Sequence, residues 1–246
     1  MKFYRMLMKE QSMSKSFETN FAERTHQESR QPECKVLAKY RFNTMEQEMK
    51  RIIVNNILIP SLFTLYKVDY DNIRFGASER NICARLAHHM ENIMREYDQS
   101  HDVHLFDHFF VDVEYNRMGN GDLKHYENSE HRPTYMVSDL LIQARGYERN
   151  LLAVEMKRKG NNRNVREDRE RLISLVSSSN VEYDIRCVHD TLVGAFIVYS
   201  PDRVKLDLYE SILGKGNQTR SYNLLYQQEE NGGGRLYEES SMILQY

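Results

Sequence analysis

Two short stretches hold the residues best suited to chemistry, VSD at 137–139 and EMK at 155–157. Asp139 lies in the apolar run YMVSDLLIQ, and Glu155 and Lys157 lie in the next one, LLAVEMKR. An ionised group inside such a run is costly unless it is paired, hydrogen-bonded or bound to metal. Two carboxylates a few ångströms apart repel until one is protonated or a divalent cation joins them. Mg²⁺ takes oxygen ligands, typically one or two carboxylates with waters and substrate phosphate. A lysine on the same face could hold or deprotonate a water, or steady the charge of a pentavalent phosphate. The set therefore suits hydrolysis of a phosphodiester by metal-activated water. A buried Asp–Lys–Glu ion network, or three exposed residues at strand ends, is the alternative without catalysis, since a bare D…ExK pattern is too short to separate the readings.

For these side chains to meet, their segments must be neighbouring strands. Alternation with period two puts Leu151, Ala153, Glu155 and Lys157 on one face of LLAVEMKR and Leu152, Val154, Met156 and Arg158 on the other. In the preceding run, Val137, Asp139, Leu141 and Gln143 share a face. A hairpin through the turn ARGYERN readily sets Asp139 beside Glu155. Both strands stay apolar on both faces elsewhere, as expected of central strands covered by helices. A third acid comes from SERNICARLAHHMENIMREYD, which predicts a helix with Ser78 as N-cap. Helical phase places Glu79 in the stripe of Ile82, Leu86, Met90, Ile93, Met94 and Tyr97, toward the strands, where it could add a carboxylate to the metal cluster. Capping and the helix dipole explain a first-turn acid equally well.

The remaining elements follow from periodicity. Residues 1–43 read as a polar N-terminal arm, and 44–59 as a helix ending before Pro60. The segment 104–116 reads as a strand, 164–180 as a helix, and LVGAFIVYS and RVKLDLYE as two strands around the turn PD. Residues 213–246 read as a polar, glycine-rich C-terminal tail with one last strand at SMILQY. Helix, three strands, helix, two strands is an α/β pattern with a central mixed sheet flanked by helices. It spans 44–212, with a core at 76–210 and an N-terminal helical extension.

The 246 residues are 40% hydrophobic and 28% charged, enough for one large domain with appendages. No apolar run approaches the ~18 residues that span a bilayer, so no membrane partner is expected. The opening MKFYRMLMKEQ lacks the apolar core of a secretory signal. Three widely spaced cysteines, Cys34, Cys83 and Cys187, point to a reducing compartment such as the cytoplasm. The five histidines from His88 to His108 do not form HExxH, and GKGNQTR and NGGGR lack the order of a phosphate loop.

In order and type, these residues resemble the PD-(D/E)xK, or restriction-endonuclease-like, nuclease superfamily. The resemblance covers roughly residues 76–210: an acid on a first helix (Glu79), the strand FFVDVEYNR, a strand bearing Asp139, a strand bearing Glu155-Met156-Lys157, then a helix and further strands. Ser138 stands where the superfamily's name has a proline. The resemblance implies that Asp139 and Glu155 bind Mg²⁺, or Mn²⁺ in its place, with the Met156 carbonyl. It further implies that Lys157 acts on the attacking water and that Glu79 assists. DNA is the expected substrate, with RNA as a second, and a homodimer is an expected assembly. The rival expectation is a catalytically silent module of the same fold that binds nucleic acid or a protein partner.

A net charge of −2 means that any nucleic acid must be held by a local patch. Residues 157–171 supply one, with seven Lys/Arg against three acids. Arg158, Lys159, Arg163 and Arg166 are its candidate phosphate contacts, Asn161 and Asn162 add amides, and Arg117 closes the EYNR strand. A solvated helix face laced with i,i+4 pairs is the plainer reading of the same run.

Overall fold

The computed structural model describes residues 44–115, 125–127, 133–135, 137–144, 150–177, 191–212, 214–228 and 234–239. The arm at 1–43, Arg117 and the SMILQY segment lie outside them. A long helix, α1, occupies 44–68 and does not end before Pro60. Its middle, Ile52–Leu58, is π-helical, and Ile59–Val68 continues as α-helix. The Ile59 N–H reaches back five residues to the Val54 carbonyl. Pro60 can neither donate nor tolerate the carbonyl four residues back, and the wider register ahead of it lets the helix run on. Helix α2 spans Tyr70–Arg74 and α3 spans Glu79–His101. Ser78 caps α3 as expected, accepting from Asn81 N at 3.2 Å, and Asp102 ends it in the left-handed conformation.

Seven strands form one sheet in the order β1-β4-β5-β6-β7-β8-β9. They are β1 Phe109–Tyr115, β4 Ser138–Ala144, β5 Asn150–Arg158, β6 Val193–Ser200, β7 Arg203–Ile212, β8 Lys215–Gln228 and β9 Gly234–Glu238. A separate hairpin, β2 His125–Glu127 with β3 Pro133–Tyr135, is inserted between β1 and β4. All pairs in the sheet are antiparallel except β5 with β6. That parallel pair needs a crossover, which helix α4, Val165–Val176, provides. The sheet is therefore mixed and flanked by helices on both faces.

The segment expected as a C-terminal tail instead contributes β8 and β9 to this sheet. GKGNQTR is the β7–β8 turn and the start of β8. Its polar alternation hid the strand, because this end of the sheet is only partly covered: in β8, Leu224 alone is buried.

Two cores result. The larger lies between α1, α3 and one face of the sheet, and includes Leu62, Ile82, Leu86, Met90, Leu152, Val154 and Met156. The smaller lies under α4 on the other face, with Leu141, Ala153, Leu172, Leu175, Val176 and Phe196. From residue 152 on, the alternation read from LLAVEMKR sorts these two sets, with Leu152, Val154 and Met156 facing α3 and Ala153 facing α4; Leu151, expected beside Ala153, lies in the larger core. Among the described residues no helix is long and apolar enough to cross a membrane.

Candidate active site

β4 and β5 pair with Leu140 opposite Val154 and Leu141 opposite Ala153. The next residues along are Asp139 and Glu155, side by side on the α4 face. Asp139 Oδ2 accepts from Met156 N at 2.7 Å, which fixes the aspartate across the strand gap. Glu155 is 1% exposed. Lys157, one step further out on the same face, is half-buried. Here the covering helix contributes two residues of the basic run 157–171 that were expected either at phosphates or on a solvated face. Asp168, 3% exposed, meets Lys157 Nζ at 3.1 Å. Arg171 lies 2.7 Å from Asp168 and 3.1 Å from Glu155, and donates to the Val137 carbonyl at 2.6 Å.

The ionic group thus sets three carboxylates, Asp139, Glu155 and Asp168, against two cations, Lys157 and Arg171. Burial pushes the Glu155 pKa well above the ordinary range; Arg171 opposes this, while Asp139 and Asp168 add to it. Burial raises Asp139 as well, against its bond from Met156 N and the Lys157 charge. For Lys157, burial works downward, but the Asp168 pair outweighs it and the pKa is raised. Glu155 Oε1 has the Arg171 charge beside it, yet no donor is aligned on it as a hydrogen bond.

Glu79 approaches from the other side. Helix α3 packs on the face opposite Glu155, and Glu79 Oε1 accepts from Arg158 N at 2.9 Å and Asn161 Nδ2 at 2.7 Å. It ties the end of β5 and the following turn to α3. Among the described residues, no three His, Cys, Asp or Glu side chains are gathered in an arrangement that could hold a metal ion. The donor set that suits Mg²⁺ is the adjacent pair Asp139 and Glu155, since hard cations are commonly held by two carboxylates, with other oxygens completing the shell. Met156 points its side chain into the larger core, with Cys83 Sγ 3.6 Å from its sulfur.

The basic run divides. Arg169 and Arg171 turn inward: Arg169 lies over the Phe196 ring at 4.4 Å and bonds Asp207 at 2.7 Å and the Tyr209 hydroxyl. Arg166 pairs with Glu170 at 2.7 Å, an exposed i,i+4 contact. Lys159, Asn162 and Arg163 are exposed, and Arg158 is half-buried. The Asn161 amide donates to Glu79, and its Oδ1 accepts from Arg163 N at 3.2 Å, so Asn161 shapes the turn. Asp168 and Arg171 were missed as site residues. The i,i+4,i+7 stripe Asp168, Leu172, Leu175 was the available signal, since it places Asp168 on the buried face of α4.

Comparison of the chain with protein families, with curated proteins and with solved structures found no match in any of the three.

Proposed function

We propose that this chain is a metal-dependent nuclease of restriction-endonuclease-like fold that hydrolyses DNA phosphodiester bonds at the rim formed by β4 and β5. The observation that carries this reading is the charge imbalance: three carboxylates against two cations at the end of two central strands. Buried excess negative charge is costly, and either a proton on Glu155 or a bound cation relieves it; the nuclease reading takes the cation. The succession of a helix with an acid in its first turn, three antiparallel strands, a helix and a parallel strand supports the resemblance to the PD-(D/E)xK superfamily.

Asp139 and Glu155 would hold Mg²⁺ or Mn²⁺, with the Met156 carbonyl as a further oxygen. When bound, such an ion lowers the pKa of water and neutralises charge on a phosphate. Lys157, kept protonated by Asp168, suits the role of stabilising negative charge on the phosphate better than that of a base. Glu79 positions Lys157 by anchoring the backbone of the next residue. Lys159, Arg163 and Arg166 are the phosphate contacts best exposed to solvent, and Arg158 borders them.

One observation favours a second reading. The Arg171 guanidinium beside Glu155 already supplies a positive charge where a cation would sit, as in a catalytically silent module that binds nucleic acid or protein. Incubation with plasmid and with single-stranded DNA decides between them. The nuclease reading expects cleavage with Mg²⁺ that EDTA abolishes and that Glu155→Gln and Lys157→Ala each reduce on the order of 100-fold or more. Tight binding with no cleavage by the parent, or undiminished cutting by Glu155→Gln, overturns it.

A further inference from the structure

We propose that Arg171 makes metal binding conditional on substrate, so that the divalent cation and one phosphodiester group are taken up together. This rests on the nuclease reading and deepens it, by assigning how its site is loaded. A carboxylate must be ionised to hold a divalent cation. With the ion in place, Asp139, Glu155 and Asp168 bring three negative charges, and the ion, Lys157 and Arg171 bring four positive ones. The group then carries a surplus of one positive charge under α4, where Glu155 and Asp168 are almost fully buried. This count is the same whether or not Glu155 carries a proton beforehand. A phosphodiester group carries one negative charge, and its arrival brings the sum to zero. Uncompensated buried charge is costly, so the ion and the phosphate favour one another.

Arg171 is the source of the surplus because it cannot yield. A guanidinium keeps its proton at every working pH. This one is fastened at two points other than Glu155: it donates to Asp168 Oδ1 at 2.7 Å and to the Val137 carbonyl at 2.6 Å. Glu155 Oε1 is its third neighbour, at 3.1 Å and without an aligned hydrogen bond. An ion on Glu155 therefore meets a fixed positive charge at the same carboxylate. The Arg171 side chain is only 16% exposed, so solvent and salt screen the repulsion weakly. Asp139 and Lys157 are half-buried and form the open side of the group, where ion and phosphate can arrive. The coupling is reciprocal: the phosphate tightens the ion by the factor by which the ion tightens the phosphate.

The test titrates Mn²⁺ into the full chain and follows the free ion by its electron paramagnetic resonance signal. It is run without additive, with excess dimethyl phosphate, and with uncharged trimethyl phosphate. Dimethyl phosphate should tighten Mn²⁺ binding by the parent roughly 5- to 100-fold, and trimethyl phosphate should leave it unchanged. In Glu155→Gln the phosphate-dependent Mn²⁺ should be lost. Arg171→Gln removes the surplus. It should bind Mn²⁺ alone at least about 5-fold more tightly than the parent and gain less than about twofold from dimethyl phosphate. Asp168→Asn raises the surplus to two and should shift the affinity the other way. Structural damage would weaken Mn²⁺ binding in both variants, so opposite shifts separate charge from damage. If Arg171→Gln does not fold, the parent and Asp168→Asn carry the test. A parent affinity that ignores dimethyl phosphate, or variants that shift in the same direction, overturns the proposal. Phosphate-dependent Mn²⁺ binding with no cleavage of DNA sinks the nuclease reading alone. Cleavage in Mg²⁺ with phosphate-independent Mn²⁺ binding sinks the conditional loading alone, and no Mn²⁺ binding under any condition sinks both.

Discussion

Asp139, Glu155 and Lys157 share their strand end with Asp168 and Arg171, and the balance among these five charges governs both stability and chemistry. Arg171 faces two of the three acids, so its removal leaves Lys157 alone against three carboxylates. Asp168 is one of three acids, and its neutralisation brings the group to parity. The expected outcome is an ordering: Arg171→Met destabilises by about 3–5 kcal/mol, the scale for breaking a buried pair, and Asp168→Asn costs distinctly less. Urea denaturation of the two variants checks it, and equal losses would contradict the charge count. Mg²⁺ should recover little of the Arg171→Met loss if the cation and the guanidinium do different jobs, and most of it if they substitute for one another.

At the scale of elements, helix α3 must be held in register for Glu79 to reach the end of β5. Part of the clamp lies at its middle. Asp69, just after α1, accepts from Arg85 Nε at 2.7 Å and lies 2.6 Å from His89 Nε2, and both partners belong to α3. Burial works to raise the Asp69 pKa, but the bonds from Arg85 and His89 outweigh it and hold the carboxyl below its ordinary 3.8. A depressed folded-state pKa stabilises fully above the unfolded value and loses that contribution as pH falls through the folded one. Asp69→Asn should therefore cost about 1.5–3 kcal/mol at neutral pH. The gap to the parent should narrow as pH drops below 3.8. Melting curves across that range test the sign; a gap that widens in acid would show that the pair is not what stabilises the clamp.

At the scale of the whole molecule, the C-terminal strands complete the sheet over which α1 and α4 lie. Tyr226 of β8 stacks on Tyr70 with ring centres 4.1 Å apart, so β8 packs against α2. Gly216 marks the close approach of β8 to α4: a Cβ there would stand on the Ile173 carbonyl oxygen and 2.8 Å from Val176 Cγ2, both in α4. Its N–H also donates to Ser177 Oγ at 2.9 Å. The helix backbone cannot yield to a methyl group. Gly216→Ala should lower the stability of the entire chain by about 1–3 kcal/mol. Calorimetry should show one transition at lower temperature. A variant that melts like the parent, or with a separate early step, would mean that β8 is an appendage.

The residue order alone determined helix α3, the strands from β4 to β7 and the sidedness of β4 and β5. Period-two alternation put Asp139, Glu155 and Lys157 on one face, and helical phase with a serine cap placed α3, because both signals arise from neighbours along the chain. What surrounds those three residues was decided only by tertiary structure. Asp168 and Arg171 read as members of a basic, solvated run until the crossover from β5 to β6 turns their side of α4 onto the sheet. Likewise the polar alternation of 215–228 read as a tail until pairing with β7 made it a strand. Charge partners and strand pairing depend on contacts between segments far apart in the chain, and the pattern within one segment does not encode which distant segment will cover it.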